Sequence, residues 1–385
     1  MKARWVTQKI GEIAKTQYGL SESMNADGNG FKIFRMGEVQ NGQLIDTGNM
    51  KYADISEQEF ERYRLSVGDV LFNRTNSFEL VGKTGIFLLE GDYCFASYLV
   101  RLNLDRKKIL PQFLNYLMNS DGFQKSVKAK ASKSINQANI NAKILSNELI
   151  CFPDTLSEQQ RIVDILDDAF GTISTGKVNA KNNLKSARDL FKSHAQSVFA
   201  RQGDGWKINT LDKVSKNLDS RRVPITKSDR KSGEYPYYGA SGVVDYVADY
   251  IFDGDALLVS EDGANLLARS TPIAFSVCGQ YWVNNHAHIL EFQDMATQRF
   301  VEFYLESIPL DKYVTGAAQP KLNQKALYSI PIPMPESVDD QRLVVNMLEA
   351  LTVETERLEE IYQQKLAAFD ELQKSVLNKA FSGAL

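Results

Sequence analysis

The chain has 385 residues, 43% of them hydrophobic and 24% charged, which suits a soluble protein of two or more domains. No apolar run approaches the ~20 residues of a membrane span, so a spanning helix is excluded. The net charge of −3 and pI near 5.8 exclude a uniformly basic nucleic-acid binder; any such contact needs locally clustered basic residues or a partner's.

In chain order, Met1-Lys2-Ala3-Arg4-Trp5 runs straight into folded-looking sequence with no secretory pattern. Cys94, Cys151 and Cys278 sit far apart in apolar contexts and read as reduced and buried. Both features lead us to expect a cytoplasmic protein. Residues 1–155 carry mostly strand signals, at 67–72 and 93–102, punctuated by Gly-Asp turns. Pro111 opens a short helix, because its missing N–H is no loss at a first helical position. Leu149-Ile-Cys-Phe-Pro153 is an apolar strand ending in proline.

Residues 156–201, opening LSEQQRIVDILDDAF, read as one long helix. Ser157 followed by Gln160 suggests a hydroxyl N-cap with a side chain reaching back. Val163, Leu166, Phe170, Leu184 and Phe191 recur at steps that build a seam, and a seam over several heptads argues for a coiled coil. Gly171 to Gly176 lowers helix propensity, so a bend or fraying is expected there.

Residues 202–336 repeat the first globular segment. Trp206-Lys-Ile-Asn-Thr-Leu211 answers Trp5-Val-Thr-Gln-Lys-Ile10, and Phe252-Asp-Gly254-Asp255 answers Ser66-Val-Gly68-Asp69. Phe300 parallels Phe113, Lys321-Leu322-Asn323-Gln324 parallels Ser134-Ile135-Asn136-Gln137, and Ile330-Pro-Ile-Pro-Met-Pro335 is the second proline-ended strand. Residues 337–385 repeat the helix: Ser337 caps it, Gln341-Arg342 matches Gln160-Arg161, and Phe381 matches Phe199. Its seam is read as Val344, Leu348, Leu351, Leu358, Phe369 and Leu372. The architecture is α+β globular domain, helix, globular domain, helix, with divided segments 1–155, 156–201, 202–336 and 337–385. A period this long means duplicated domains rather than a solenoid.

The two globular segments match at their ends and diverge in their middles, as two versions of one reader would. In this arrangement, in the proline-ended strands, in the helix starts at 158–162 and 340–343, and in Lys379-Ala-Phe-Ser-Gly-Ala-Leu385, the chain resembles specificity subunits of type I restriction–modification systems. The resemblance covers nearly the whole chain. It implies two target-recognition domains held apart by two long antiparallel helices forming a coiled coil, each domain reading one half of a bipartite asymmetric site on double-stranded DNA. It also implies two modification (methyltransferase) subunits docked on the helices, and restriction (motor and nuclease) subunits in the full complex. Methyl donor and ATP are then expected on those partners, with no cofactor on this chain. Asp339-Asp340 departs from the Glu-Gln pair usual in the family.

Candidate DNA-contacting residues follow from groove chemistry. Asn73-Arg74-Thr75-Asn76 places short donors and acceptors around an arginine, and arginine reads guanine as asparagine reads adenine. Such a polar loop can equally cap its own backbone. Lys128, Lys130 and Lys133, spaced by small residues, could neutralise phosphates, with Gln319 and Lys321 as counterparts. Asn284 and His286 are candidates in the second domain; His286 and His288 could face one side of a strand, facing DNA or buried. A closed metal site needs about four ligands, and no acid or cysteine stands at ligand spacing beside the histidines, so no metal is expected. Tyr235-Pro-Tyr-Tyr238 either presents rings to DNA or packs them. Val81-Gly-Lys-Thr84 lacks the earlier glycine of a phosphate loop and reads as a turn between strands. Neither a methylation signature nor a nuclease carboxylate cluster is present, so a non-catalytic chain is expected. The rivals are a methyltransferase with degenerate motifs and a coiled-coil adaptor. The duplication further predicts that residues 1–201 alone pair with a second copy of themselves.

Overall fold

The computed structural model describes residues 4–134, 137–201, 205–316 and 318–382. It divides into two units: Met1–Asn179 with Lys365–Leu385, and Ala180–Gln364. The boundary cuts both long helices, so each unit contains the start of one and the end of the other.

The two units are built on one frame. In the first, Trp5–Lys9 pairs antiparallel with Leu149–Pro153, setting Trp5 opposite Pro153. In the second, Trp206–Asn209 pairs with Ile332–Pro335, setting Trp206 opposite Pro335. In the first unit's main sheet, Val70–Asn73 lies between Leu99–Leu104 and Thr84–Ile86, and Leu99–Leu104 also pairs with Ala14–Tyr18. The second unit repeats that order: Ala256–Ser260 lies between Ala287–Phe292 and Ala274–Val277, with Ser215–Asn217 outside. The central strands are apolar on both faces, because core packs on each side; Val70, Leu71 and Phe72 are all fully buried. The inserted sheets differ, as the divergent middles require.

Helix Leu156–Arg201 and helix Val338–Phe381 each run unbroken; at about 1.5 Å per residue the first is about 69 Å long. Ile162, Val163 and Leu166 close the first core beside Ala380, while Ala195 and Phe199 close the second beside Val345 and Leu348. Lys177 meets Asp370 in the first unit and Arg188 meets Glu359 in the second, so the helix segments run antiparallel within each. The terminal rings are matched: Phe381 packs edge-on to Phe113 at 5.4 Å and Phe199 to Phe300 at 5.3 Å.

Several expectations are corrected. The helix neither stops nor frays at the glycines: Thr175 Oγ1 donates back to the Gly171 carbonyl. Gly176 lies against Phe369, whose ring carbon would stand 2.5 Å from an added Cβ, so the glycine makes room for a partner ring. Ser157 is inside the first helix, which begins after Thr155, whereas Ser337 does cap the second. The structural counterpart of Gln341 is Gln159, not Gln160. Both are buried, and each donates from Nε2 to the proline carbonyl that ends the preceding strand, Pro153 or Pro335. That pair is 182 residues apart, as are Phe199 and Phe381, so the helices match without any insertion.

The second seam is also shifted. Leu358 and Leu372 are 39% and 47% exposed, while Val345, Thr352, Glu359, Leu366 and Gln373 take inward positions beside Leu348, Thr355, Tyr362 and Phe369. Val344 and Leu351 are flanking and half-buried. The inward set keeps a strict alternation of four and three from Gln341 onward, and polar members are held by bonds: Thr352 to the Leu348 carbonyl, Lys177 to Gln373. Apolar identity alone pointed to the wrong leucines. In the first helix Val163 and Leu166 are buried and Phe170, Leu184 and Phe191 half-buried. Of the cysteines, only Cys94 is buried; Cys151 and Cys278 are exposed, one on a strand at the unit's rim and one in a turn. Met1–Ala3, Ile135-Asn136, Gln202–Asp204, Ala317 and Gly383–Leu385 lie outside the described residues.

Candidate nucleic-acid interface

In the first unit the Asn73 loop is folded in. Asn73 ends its strand fully buried, and its amide atoms have no protein partner. Arg74 is half-buried: its guanidinium lies 5.0 Å over the Tyr18 ring, and Nη1 donates to the Ser97 carbonyl at 3.2 Å. Thr75 is buried and its hydroxyl accepts from Asn139 Nδ2 at 2.7 Å. Asn76 Oδ1 accepts from the Ser77 amide. Thr75–Asn76 pairs with Ala138–Asn139, which explains the inward turn: the short polar side chains satisfy a small sheet. Asn73 and Thr75 are therefore turned away from the surface, and of the two only the Thr75 side chain is bonded to the loop.

The lysine cluster is also partly engaged. Lys128 Nζ donates to the Glu79 carbonyl, and burial, followed by Lys83, pushes its pKa down. Lys130 Nζ stands 2.5 Å from the buried Glu148 carboxylate. Lys133 stays exposed with Nζ 3.9 Å over the Phe78 ring, itself exposed. Val81-Gly82-Lys83-Thr84 turns into the strand Thr84–Ile86, without the helix a phosphate loop needs.

In the second unit Glu261 occupies the place of Arg74. The Arg74 amide donates to the Tyr98 carbonyl and its carbonyl accepts from Ile140; Glu261 does the same with His286 and Leu322. The reversed charge is compensated on the spot. Arg222 Nη1 lies 2.8 Å from Glu261, and Lys321 Nζ 3.2 Å. Burial alone would raise the Glu261 carboxyl, but Arg222, His288 and Lys321 hold it below its usual range. His288, buried in the strand, places Nδ1 2.6 Å from Asp219 and Nε2 2.8 Å from the Leu322 carbonyl. Asp219 is likewise depressed despite its burial, chiefly by His288. Asp219, Glu261 and His288 offer three ligand atoms within 4.8 Å, contrary to the expectation that no acid stands by the histidines. Their oxygens are already engaged by Arg222 and Lys321, and cations there oppose a further cation.

His286 and His288 do not share a face. His286 sits in the turn before the strand, exposed, with Nδ1 2.9 Å from both Asp262 oxygens. Asn284 is buried, and its Oδ1 accepts from the His286 amide, so it shapes that turn. Gln319 is exposed. Gly316, at φ +89°, makes a tight turn in which a Cβ would meet the Gln319 carbonyl at 2.4 Å, so its smallness serves the turn. Tyr237 is buried, and Tyr238 is half-buried against Phe275 and Tyr281.

The matched turns reveal a residue sequence reasoning passed over. Tyr98, 40% exposed, stands where His286 stands in the second unit, each offering its backbone carbonyl to the loop residue behind it. The signal in the sequence is the alignment of the strands Leu99–Leu104 and Ala287–Phe292, which sets Tyr98 and His286 at the same place before each.

A family model, the type I restriction modification DNA specificity domain, matches residues 2–186 and 203–366. A putative type I restriction enzyme specificity subunit from Haemophilus influenzae is 33% identical over 189 residues, 44% of this chain and 48% of the relative. The aligned part thus spans about half of that relative's length. A putative MjaX specificity subunit from Methanocaldococcus jannaschii is 25% identical, covering 99% of this chain and 93% of its own. Among solved structures, a chain from a study of type I R-M system assembly superposes with a TM-score of 0.76 at 18% identity, covering 100% of both chains. The HsdS subunit from Thermoanaerobacter tengcongensis gives 0.59 at 17% identity, covering 99% and 97%.

Proposed function

The chain belongs to the type I restriction modification DNA specificity family, and from that premise we propose that it is the non-catalytic subunit that selects the DNA sequence for a type I restriction–modification complex. Each unit reads one half of a bipartite, asymmetric site on double-stranded DNA. The long helices set the spacing and dock two modification subunits, with restriction subunits joining the full complex. Methyl donor and ATP are bound by those partners.

The observation that carries this reading is the pairing of a constant frame with altered reading edges. Closing strand, buried glutamine and terminal ring recur in both units, while the exposed turn carries Tyr98 in one and His286 in the other. An adaptor has no use for such a contrast. Tyr98 offers a ring and a hydroxyl; His286, oriented by Asp262, offers its Nε2 edge. Lys133, on a strand paired with Ala138–Asn139, and Gln319 are both exposed and are candidate backbone contacts. Docking is supported by Leu343, Met347, Leu358 and Ile361, apolar residues exposed along the second helix.

The test is methylome sequencing of cells carrying the chain with its cognate subunits. Tyr98→Ala should relax or abolish one half-site and His286→Ala the other, since a base contact is worth about 1–3 kcal/mol. Unchanged methylation in both variants would remove these turns from the interface. Methyl-donor affinity of the isolated chain, by calorimetry, would instead favour a degenerate methyltransferase.

A further inference from the structure

The two helices match position for position at a separation of 182 residues, yet the middle of their seam is inverted. In the first unit Lys177 Nζ lies 2.7 Å from Asp370 and 2.8 Å from Gln373 Oε1. In the second, Arg188 Nη2 lies 2.6 Å from Glu359. The counterpart of Lys177 is Glu359, and that of Arg188 is Asp370. Two places that are cationic on the first helix are therefore anionic on the second. Size is inverted as well. Gly176 accepts the Phe369 ring, and the counterparts of those residues are Leu358 and Ala187.

The ends show no such inversion. Val163 and Leu166 correspond to Val345 and Leu348, and Phe199 to Phe381. Each terminal phenylalanine docks on the same ring of its frame, Phe300 or Phe113. At these end positions the two helices carry the same residues.

Consider two copies of the first helix paired antiparallel in the observed register. Lys177 would face Arg188 of the other copy, twice. Gly176 would face Ala187, leaving a void where the Phe369 ring stands. Two copies of the second helix would set Glu359 against Asp370 and crowd Leu358 against Phe369. We propose that the middle of the seam selects its partner: the first helix accepts only a strip with carboxylates and a phenylalanine at these places, and rejects a second copy of itself. This opposes the self-pairing of residues 1–201 that duplication alone suggests. It concerns helix pairing and stands apart from what the units read.

One substitution should switch the choice. Arg188→Glu makes the first helix self-complementary, since Lys177 then faces the introduced carboxylate in both halves of a like pair, while the contact with Glu359 turns repulsive. The full chain, carrying a protease site in place of residues 202–204, is purified, cleaved, diluted, reconcentrated and weighed by native mass spectrometry. The wild type should remain a one-to-one pair of unlike fragments. Arg188→Glu should raise the share of first-fragment dimers by roughly tenfold at low salt and less at high salt. Wild-type fragments that sort into like dimers overturn the proposal, as does Arg188→Glu sorting like the wild type. The uncut chain gives a second reading should the fragments fail to exchange or fold. Arg188→Glu should lower Tm by about 2–4 °C and Arg188→Glu/Glu359→Lys restore it; a double variant as unstable as the single also overturns the proposal.

Discussion

Replacing Gln159 by leucine should destabilise the first unit far more than a conservative exchange on a helix would suggest. The side chain is fully buried and makes three bonds. Its Oε1 accepts from the Leu110 amide, and Nε2 donates to the Lys108 and Pro153 carbonyls, all at 2.9 Å. One glutamine thus ties the start of the long helix to the closing strand and to the turn before helix Pro111–Asn119. Leucine fills the volume and supplies none of these bonds, stranding a buried N–H and two carbonyls. At about 1 kcal/mol net per bond, with the orphaned N–H added and leucine burial subtracted, the loss is about 3 kcal/mol. In a unit of this size that lowers Tm by about 6–12 °C. Gln341 makes two bonds, to the Pro335 carbonyl and the Thr297 hydroxyl, and a hydroxyl can rotate to another acceptor. Gln341→Leu should therefore cost only about 1–2 kcal/mol. Differential scanning calorimetry of the full chain reads both. A Gln159→Leu protein within about 0.5 kcal/mol of wild type, or one more stable than Gln341→Leu, would refute the assignment of this side chain as the anchor.

Two further outcomes are expected. Asp219 and Glu261 are both depressed in the folded state, so their contribution is complete above the unfolded values of about 4 and is lost as pH falls through the lower folded ones. The second unit should lose stability below about pH 4, and Arg222→Ala should flatten that acid limb; an unaltered profile in tryptophan-fluorescence melts would count against the ion network. Cys151 and Cys278 should react with an aromatic disulfide reagent in native buffer, whereas Cys94, buried and with its thiol pushed up to about 12, should wait for unfolding. Three thiols reacting at one rate would contradict the placement.

Sequence by itself determined the duplication, the two long helices, the proline-ended strands and the family. These rest on local chemistry: a proline fixes its own backbone, and a heptad of apolar residues calls for a partner whichever fold surrounds it. Tertiary structure alone decided which residues face which way. Gly176 reads as a break in one dimension, yet beside Phe369 it is the gap a ring requires. Leu358 and Leu372 look like seam by identity, yet Glu359 and Gln373 hold the inward places, because long-range partners satisfy their polar ends. Asn73 and Asn284 carry the donors and acceptors of a reader, yet the strands that cross behind them bury both. Tyr98 and His286 become a matched pair only when two strands far apart in sequence are laid on one frame. Hydrophobic period and turn chemistry are written along the chain; the side of a loop that meets water is set by what packs against its other side.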